Sequence, residues 1–218
     1  MTTNIHGKVV IDFDDILANT SEAVFNFMKA NWLQFAPNLK PVPFDYNVNE
    51  RPVRDLIRAL AKLDITEERL LGVLSTLFSR FYSNKAVYLT YITMTDLYKS
   101  ICSNTLLLSN NKIDQIYIAF RSLTEDDMKV KEEIFNELFQ SKKFEMLKIE
   151  EHEYEQLKNM DWNLYITDNS NVITKLIEDK DYNIEGKEFL VLDRPYSRLD
   201  ETQEILIKEK GASINYYK

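Results

Sequence analysis

Apolar and polar positions along the chain switch between two periods. A short apolar run, Val9-Val10-Ile11, stops abruptly at Asp12-Phe13-Asp14-Asp15 and predicts a first strand over about 8–13. The pattern then turns helical and aromatic. Ser21 to Leu33 carries Val24, Phe25, Phe27, Met28 and Trp32 at helical spacing, and a loop with Pro37, Pro41 and Pro43 follows. Val53, Leu56, Ile57 and Leu60 share one face of a helix near 52–63, with Pro52 suited to its first turn. Thr66 reads as the N-cap of a further helix through Leu70, Leu71, Val73, Leu74, Leu77, Phe78 and Phe81. Residues 20–91 thus read as a helical insert.

Beyond residue 91 the two periods alternate. Helices are predicted near 95–108, 125–139, 153–158, 172–179 and 201–210. Between them fall apolar segments at 115–120, 144–149, 163–167, 188–192 and 212–217. Strands alternating with helices predict an α/β fold, a Rossmann-like parallel sheet with helices on both faces. The expected division is a core of 1–19 and 92–218, with residues 20–91 inserted after the first strand as an α-helical cap. Ligands of such sheets bind beyond the carboxyl ends of the strands.

Composition narrows the chemistry. A length of 218 residues supports one sizeable core, or a core with a small insert. The net charge of −8 disfavours nucleic acid as a partner, because that binding needs a basic face. The single cysteine, Cys102, excludes an intrachain disulfide and a cysteine-rich zinc site. The two histidines, His6 and His152, exclude a multi-histidine metal centre, and both lie in polar surroundings that read as surface. The N-terminus lacks a signal pattern, and no apolar run approaches the ~20 residues that span a bilayer. A cytoplasmic location without membrane contact is therefore expected. Four glycines form no phosphate-cradling loop. Any catalysis must lean on carboxylates.

Three predicted strands end in polar residues: Asp12-Phe13-Asp14-Asp15, Thr167-Asp168-Asn169-Ser170 and Asp193-Arg194-Pro195-Tyr196-Ser197-Arg198. In a parallel sheet these ends converge on one edge. Alternation places Asp12 and Asp14 on one side if the strand runs that far. Clustered carboxylates repel and raise one another's pKa unless a cation sits among them, and a hard, oxygen-seeking ion such as Mg²⁺ is the usual one.

An apolar strand running into Asp12-Phe13-Asp14, continued by Asp15-Ile16-Leu17-Ala18-Asn19-Thr20, resembles the first motif of the haloacid dehalogenase (HAD) superfamily of phosphohydrolases. Within it, Val191-Leu192-Asp193-Arg194-Pro195-Tyr196-Ser197-Arg198 is most similar to the Asp-x-Pro-Tyr-Asn-Arg segment of 5'(3')-deoxyribonucleotidases. The resemblance implies Asp12 as nucleophile and Asp14 as general acid and base. It also implies Mg²⁺ held by Asp12, Asp168 and, through its backbone carbonyl, Asp14. The lysine of the pattern is best matched by Lys131, with Lys129 as the alternative. The expected activity is Mg²⁺-dependent hydrolysis of (deoxy)nucleoside monophosphates through an aspartyl-phosphate.

The chain departs from the pattern at the second motif. Where the family carries a phosphate-binding hydroxyl, the strand ends Ile118-Ala119-Phe120-Arg121-Ser122, so the hydroxyl position falls on Ala119 or Phe120. Ser122 is the nearest hydroxyl, and Arg121 offers a bidentate phosphate contact instead. A lost phosphate ligand typically costs a factor of order 10² to 10³ in rate. The acid doubled in the fourth motif is reduced here to Thr167 before Asp168. Aromatic residues of the insert, including Phe25, Trp32, Phe35, Phe78 and Phe81, suit a small core. Phe44 and Tyr46, in its loop, are the candidates to stack on a nucleobase. Two alternatives stand beside the nucleotidase: a phosphatase for another small phosphate ester, and a protein that keeps the fold and binds a nucleotide or a protein partner without turnover.

Overall fold

The computed structural model describes residues 7–35, 47, 66–103, 113–122, 124–149 and 153–218. The predicted helix at 52–63, the proline loop, Phe44, Tyr46, His6, His152 and the end of the helix predicted to reach 108 lie outside the described residues, as does the Phe35 side chain.

Strand β1 (Gly7–Asp12) leads to four described helices, α1 (Thr20–Phe35), α2 (Glu67–Tyr82), α3 (Lys85–Tyr91) and α4 (Asp96–Cys102). Alternation follows: β2 (Ile113–Arg121), α5 (Glu125–Leu138), β3 (Phe144–Ile149), α6 (Glu153–Lys158), β4 (Leu164–Thr167), α7 (Ser170–Glu178), β5 (Glu188–Leu192), α8 (Glu201–Glu209) and β6 (Ser213–Tyr217). Side chains that compete for backbone hydrogens set several helix starts. Thr66 caps α2 as expected, Asn84 caps α3, Thr95 caps α4, and Thr124 caps α5. Asp200 and Gln203 form a reciprocal capping box on α8. The Asn84 cap starts a separate short helix after the one predicted from Thr66 through Phe81.

The six strands lie in the order β3-β2-β1-β4-β5-β6, all parallel. The chain leaves β1 toward one edge and returns to β4 on the other side. The switch point therefore falls between the carboxyl ends of β1 and β4, where ligands of doubly wound sheets bind. Register fixes what meets there. Val10 pairs with Tyr117 and Tyr165, and Asp12 pairs with Ala119. Paired residues face the same way and faces alternate along each strand. Asp12 therefore shares one face with Arg121, two residues past Ala119, and with Thr167, two past Tyr165.

Both faces of the sheet are covered. Val9, Ile11, Ile118, Phe120 and Ile166 pack with Phe13, α1 and α5, where Phe13 stacks on Phe120 at 4.3 Å between ring centres. Val10, Tyr165, Phe189 and Val191 pack with Trp162, α7 and α8. In the insert, Phe27, Phe81 and Tyr88 join at 5.2–5.5 Å, and Phe25, Trp32 and Phe81 are buried while Phe78 is half-buried. These rings serve as the apolar junction of α1, α2 and α3.

β1 ends at Asp12 and does not extend to Asp14. The carbonyl of Phe13 accepts from the N–H groups of Leu17 (3.0 Å) and Ala18 (3.1 Å), folding 13–18 into a turn in which Asp15 takes φ 64°. The side-by-side placement of Asp12 and Asp14 on one strand face is thus replaced by a strand end and a turn. At the other end of β1, Gly7 has φ 77°, and a Cβ there would lie 2.0 Å from Oδ1 of Asn163, the acceptor of the Lys8 N–H. Gly7→Ala should destabilise the fold by about 1–3 kcal/mol in urea titration, whereas Gly72→Ala, with open space around it and helix on both sides, should be neutral or stabilising.

Candidate functional site

Asp12 has no exposed surface. Its Oδ2 accepts from Nη2 of Arg121 at 2.7 Å and from the Thr167 hydroxyl, and the Tyr165 hydroxyl lies 3.2 Å from each Asp12 oxygen. All three partners stand on the sheet face that register assigns to Asp12. Burial pushes the Asp12 carboxyl up to about 6, against the pull of Arg121 and with a further upward push from Glu153. Glu153, at the start of α6, grips Arg121 through Nε (3.0 Å) and Nη2 (2.6 Å). It also accepts from the Tyr165 hydroxyl (2.8 Å) and from Nδ2 of Asn169 (3.2 Å).

Asp14 has a separate set of partners. Its Oδ1 accepts from the hydroxyls of Thr20 (2.8 Å) and Tyr88 (3.1 Å), and its Oδ2 from Nζ of Lys131 (3.1 Å). Burial pushes this carboxyl up, but the Lys131 ammonium and the Thr20 hydroxyl outweigh it and hold Asp14 below the usual carboxylate range. Sequence logic asks Asp14 to be protonated in order to serve a leaving group; the resting geometry keeps it ionised. Lys131 is itself buried, donates to the carbonyl of Arg121, and sits 4.7 Å from the centre of the Tyr82 ring. Lys129, by contrast, is exposed and pairs with Asp126. Between the two lysines, only Lys131 reaches the carboxylates.

Asp168 follows β4. Burial first, then the charges of Asp15 and Asp12, push its carboxyl up to about 7, and Arg194 beyond β5 approaches it to 3.8 Å. Asp15 accepts from the Ser21 N–H (2.7 Å) and hydroxyl, so it secures the start of α1. Ser122 is tied to Thr124, donating to its carbonyl and accepting from its N–H at 3.2 Å, and so builds the turn into α5. The second-motif position of this chain therefore presents the Arg121 side chain to Asp12 and uses Ser122 in the backbone.

Among the described residues, no group of three or more His, Cys, Asp or Glu side chains is gathered as a metal cage. The carboxylates of Asp12, Asp14 and Asp168 thus do not form one cluster: the Asp14 carboxyl is engaged by Thr20, Tyr88 and Lys131. Asp12 and Asp168 do fit a hard cation. They are two oxygen donors near one another, and the Asp12 charge helps push Asp168 up, a repulsion that a divalent ion relieves.

Several members of the site were not singled out in the sequence. Glu153 belongs to a glutamate-rich run that reads as surface. Tyr165 sits in an apolar strand, and Tyr88 on a helix whose register alone does not reveal its target. Strand alternation was the available signal for Tyr165, since it lies two residues before Thr167.

No family model matches the chain, and no curated protein matches it. Solved structures do. A Clostridium difficile protein assigned as a phosphatase superposes with a TM-score of 0.55 at 14% identity, covering 95% of this chain and 93% of its own. A Bacteroides fragilis protein assigned as a haloacid dehalogenase-like hydrolase superposes with a TM-score of 0.50 at 12% identity, covering 97% and 98%. At these identities the likeness is one of fold: the parallel sheet and its flanking helices match HAD-superfamily structures over nearly the whole chain.

Two measurements probe this electrostatic arrangement. Removing the cation from a buried pair is costly, so Lys131→Met should destabilise the protein by about 3 kcal/mol, while Lys129→Met should stay within about 0.5 kcal/mol in the same denaturant titration. Asp168 binds its proton more tightly folded than unfolded, where the ordinary value is 3.8. Its contribution therefore lowers stability as pH climbs from about 4 to about 7. Asp168→Asn should gain stability relative to wild type between pH 5 and pH 8 in metal-free buffer. The gain is bounded at ~4 kcal/mol by about 1.4 kcal/mol per pKa unit. An unchanged difference in Tm across that range would contradict the assignment.

Proposed function

We propose that this chain is a Mg²⁺-dependent phosphomonoesterase that hydrolyses (deoxy)nucleoside monophosphates through an aspartyl-phosphate. The observation that carries the proposal is the placement of Asp12: a buried carboxylate at the sheet's switch point, with a guanidinium beside it and near enough to a second carboxylate, Asp168, to help push that group up. The fold shared with HAD-superfamily structures and the Asp12-Phe13-Asp14 segment support phosphoester chemistry in general, and the Val191 to Arg198 segment supports the nucleotide class.

In this mechanism an Asp12 oxygen attacks phosphorus while the bond from phosphorus to the substrate's alcohol oxygen breaks. Asp14 gives that oxygen its proton, then takes one from the water that attacks the aspartyl-phosphate; the bond from phosphorus to the Asp12 oxygen breaks, and phosphate leaves. For Asp14 to be protonated, its tie to Lys131 must loosen. A phosphate dianion supplies the competing partner, drawing the ammonium so that burial is left to raise the carboxyl. Asp12 and Asp168 would hold the Mg²⁺, which when bound offsets phosphate charge. The helices between residues 20 and 91 act as the cap: Tyr82 and Tyr88 already reach Lys131 and Asp14, so movement of the insert changes the site directly. Phosphate contacts fall to Arg121 and Lys131, and base contacts to Phe44 and Tyr46.

A second reading, binding without turnover, draws on one observation: Lys131 holds Asp14 in the form that cannot donate a proton. Phosphate release distinguishes the two. With Mg²⁺, the protein should release phosphate from deoxynucleoside monophosphates, and EDTA or Asp12→Asn should reduce release by at least ~10³-fold. Release from sugar phosphates alone would overturn the nucleotide assignment. No release above the Asp12→Asn background from any ester would leave the binding reading.

A further inference from the structure

Glu153 is the acid of this site that the proposed chemistry leaves without a role. It is 9% exposed, and its carboxylate collects four contacts, from Nε and Nη2 of Arg121, the Tyr165 hydroxyl and Nδ2 of Asn169. Its placement is at first sight unfavourable. It adds a negative charge beside Asp12, at the place where a phosphate dianion is to arrive, and Coulomb repulsion alone would select against it.

The geometry of Arg121 gives the compensating reason. A guanidinium and a carboxylate pair most strongly when two N–H groups meet two oxygens side by side. Arg121 makes that two-point pairing with Glu153, Nε to Oε2 at 3.0 Å and Nη2 to Oε1 at 2.6 Å. Asp12 receives a single nitrogen, Nη2, on a single oxygen, Oδ2. Tyr165 shows the same division. Its hydroxyl has one hydrogen to give, and Glu153 at 2.8 Å is closer than either Asp12 oxygen at 3.2 Å. With that hydrogen on Glu153, Oδ1 of Asp12 accepts from no described side chain. Nη1 of Arg121 likewise bonds to no described residue, while the Arg121 side chain remains 29% exposed.

We propose that Glu153 is a positioning residue: by taking the fork of Arg121 and the hydroxyl of Tyr165, it keeps Oδ1 of the buried Asp12 free of hydrogen-bond donors for attack on phosphorus and leaves Nη1 of Arg121 to a phosphate oxygen. Without Glu153, Arg121 swings to pair with both oxygens of Asp12 and covers the attacking atom with its own donors. Asn169, directly after Asp168, braces Glu153 from the loop that follows β4, so the orientation of the guanidinium depends on the same strand end that supplies Asp168. This role rests on the phosphoester reading for its ligand, and phosphate binding tests it without turnover.

The experiment is calorimetric titration of inorganic phosphate, with Mg²⁺ present, into wild type, Glu153→Ala and Glu153→Gln, each checked by thermal melting. The sign is decisive. A carboxylate that served only as a buried counter-ion would repel phosphate, so its removal would tighten binding. A positioning carboxylate predicts at least 10-fold weaker binding in Glu153→Ala. Glu153→Gln, which keeps one acceptor and the bulk, should fall between and serves as the test if the alanine variant does not fold. With p-nitrophenyl phosphate, kcat should fall at least 10-fold in Glu153→Ala, in addition to a rise in KM. Unchanged or tighter phosphate binding in a folded variant would overturn the proposal. Phosphate binding by wild type that weakens in the variants, without turnover of any ester, would overturn the hydrolase reading and uphold the positioning role. Wild type that binds no phosphate would overturn both.

Discussion

A carboxylate withdrawn from water must be paired or protonated, and Asp12 is withdrawn completely. Much of the centre of this molecule can be understood as an answer to that constraint. The strand pairing that buries Asp12 also delivers its partners, because the face that carries it carries Arg121 from β2 and Tyr165 and Thr167 from β4. Arg121 is shared between Asp12 and Glu153, which grips it from α6. Asp14 meets the same constraint separately, with Lys131 from α5 and hydroxyls from α1 and α3. Acid and base thus alternate across the strand ends, with Arg194 beside Asp168 as a third basic partner at the far side.

The pairing sets the two carboxylates of the Asp12-Phe13-Asp14 segment on different courses. Burial pushes both up and prevails at Asp12; at Asp14 the Lys131 ammonium and the Thr20 hydroxyl together outweigh it and lower the carboxyl. Two acids two positions apart in sequence acquire opposite shifts because the chain turns between them. The carbonyl of Phe13 receives two N–H groups, and the Phe13 side chain stacks into the core on Phe120, so the turn is anchored on both its backbone and its apolar side.

The sheet was legible in the chain because its strands are nearly continuous apolar runs between amphipathic helices: 144–149 and 188–192 match to the residue. The convergence of Asp12, Asp168 and the Arg194 loop on one edge followed from parallel topology alone. Lys131 over Lys129 was not decided by local pattern, since both lie in the same charged helix and only tertiary packing buries one. Glu153 was illegible for a similar reason: a glutamate run has one appearance whether it meets water or a guanidinium. The reach of Tyr88 to Asp14 depends on how α3 packs, and α3, capped by Asn84, lies past the last helix read in the insert.

The parallel order of the strands carries a kinetic consequence. Asp12 and Thr167 meet across 155 residues of chain, and Asp12 and Arg121 across 109. Pairings of such long range come at the expense of loop-closure entropy before any contact repays it, and they slow folding accordingly. β1 emerges first in synthesis yet has no neighbour on its β4 side until the last quarter of the chain is made. The cluster of charge at the switch point is therefore neutralised late, and until then Asp12 stays in water as an ordinary carboxylate. The pairing of Asp12 at the switch point is complete only with the docking of β4, so that pairing reports complete folding rather than the early collapse of the apolar strands.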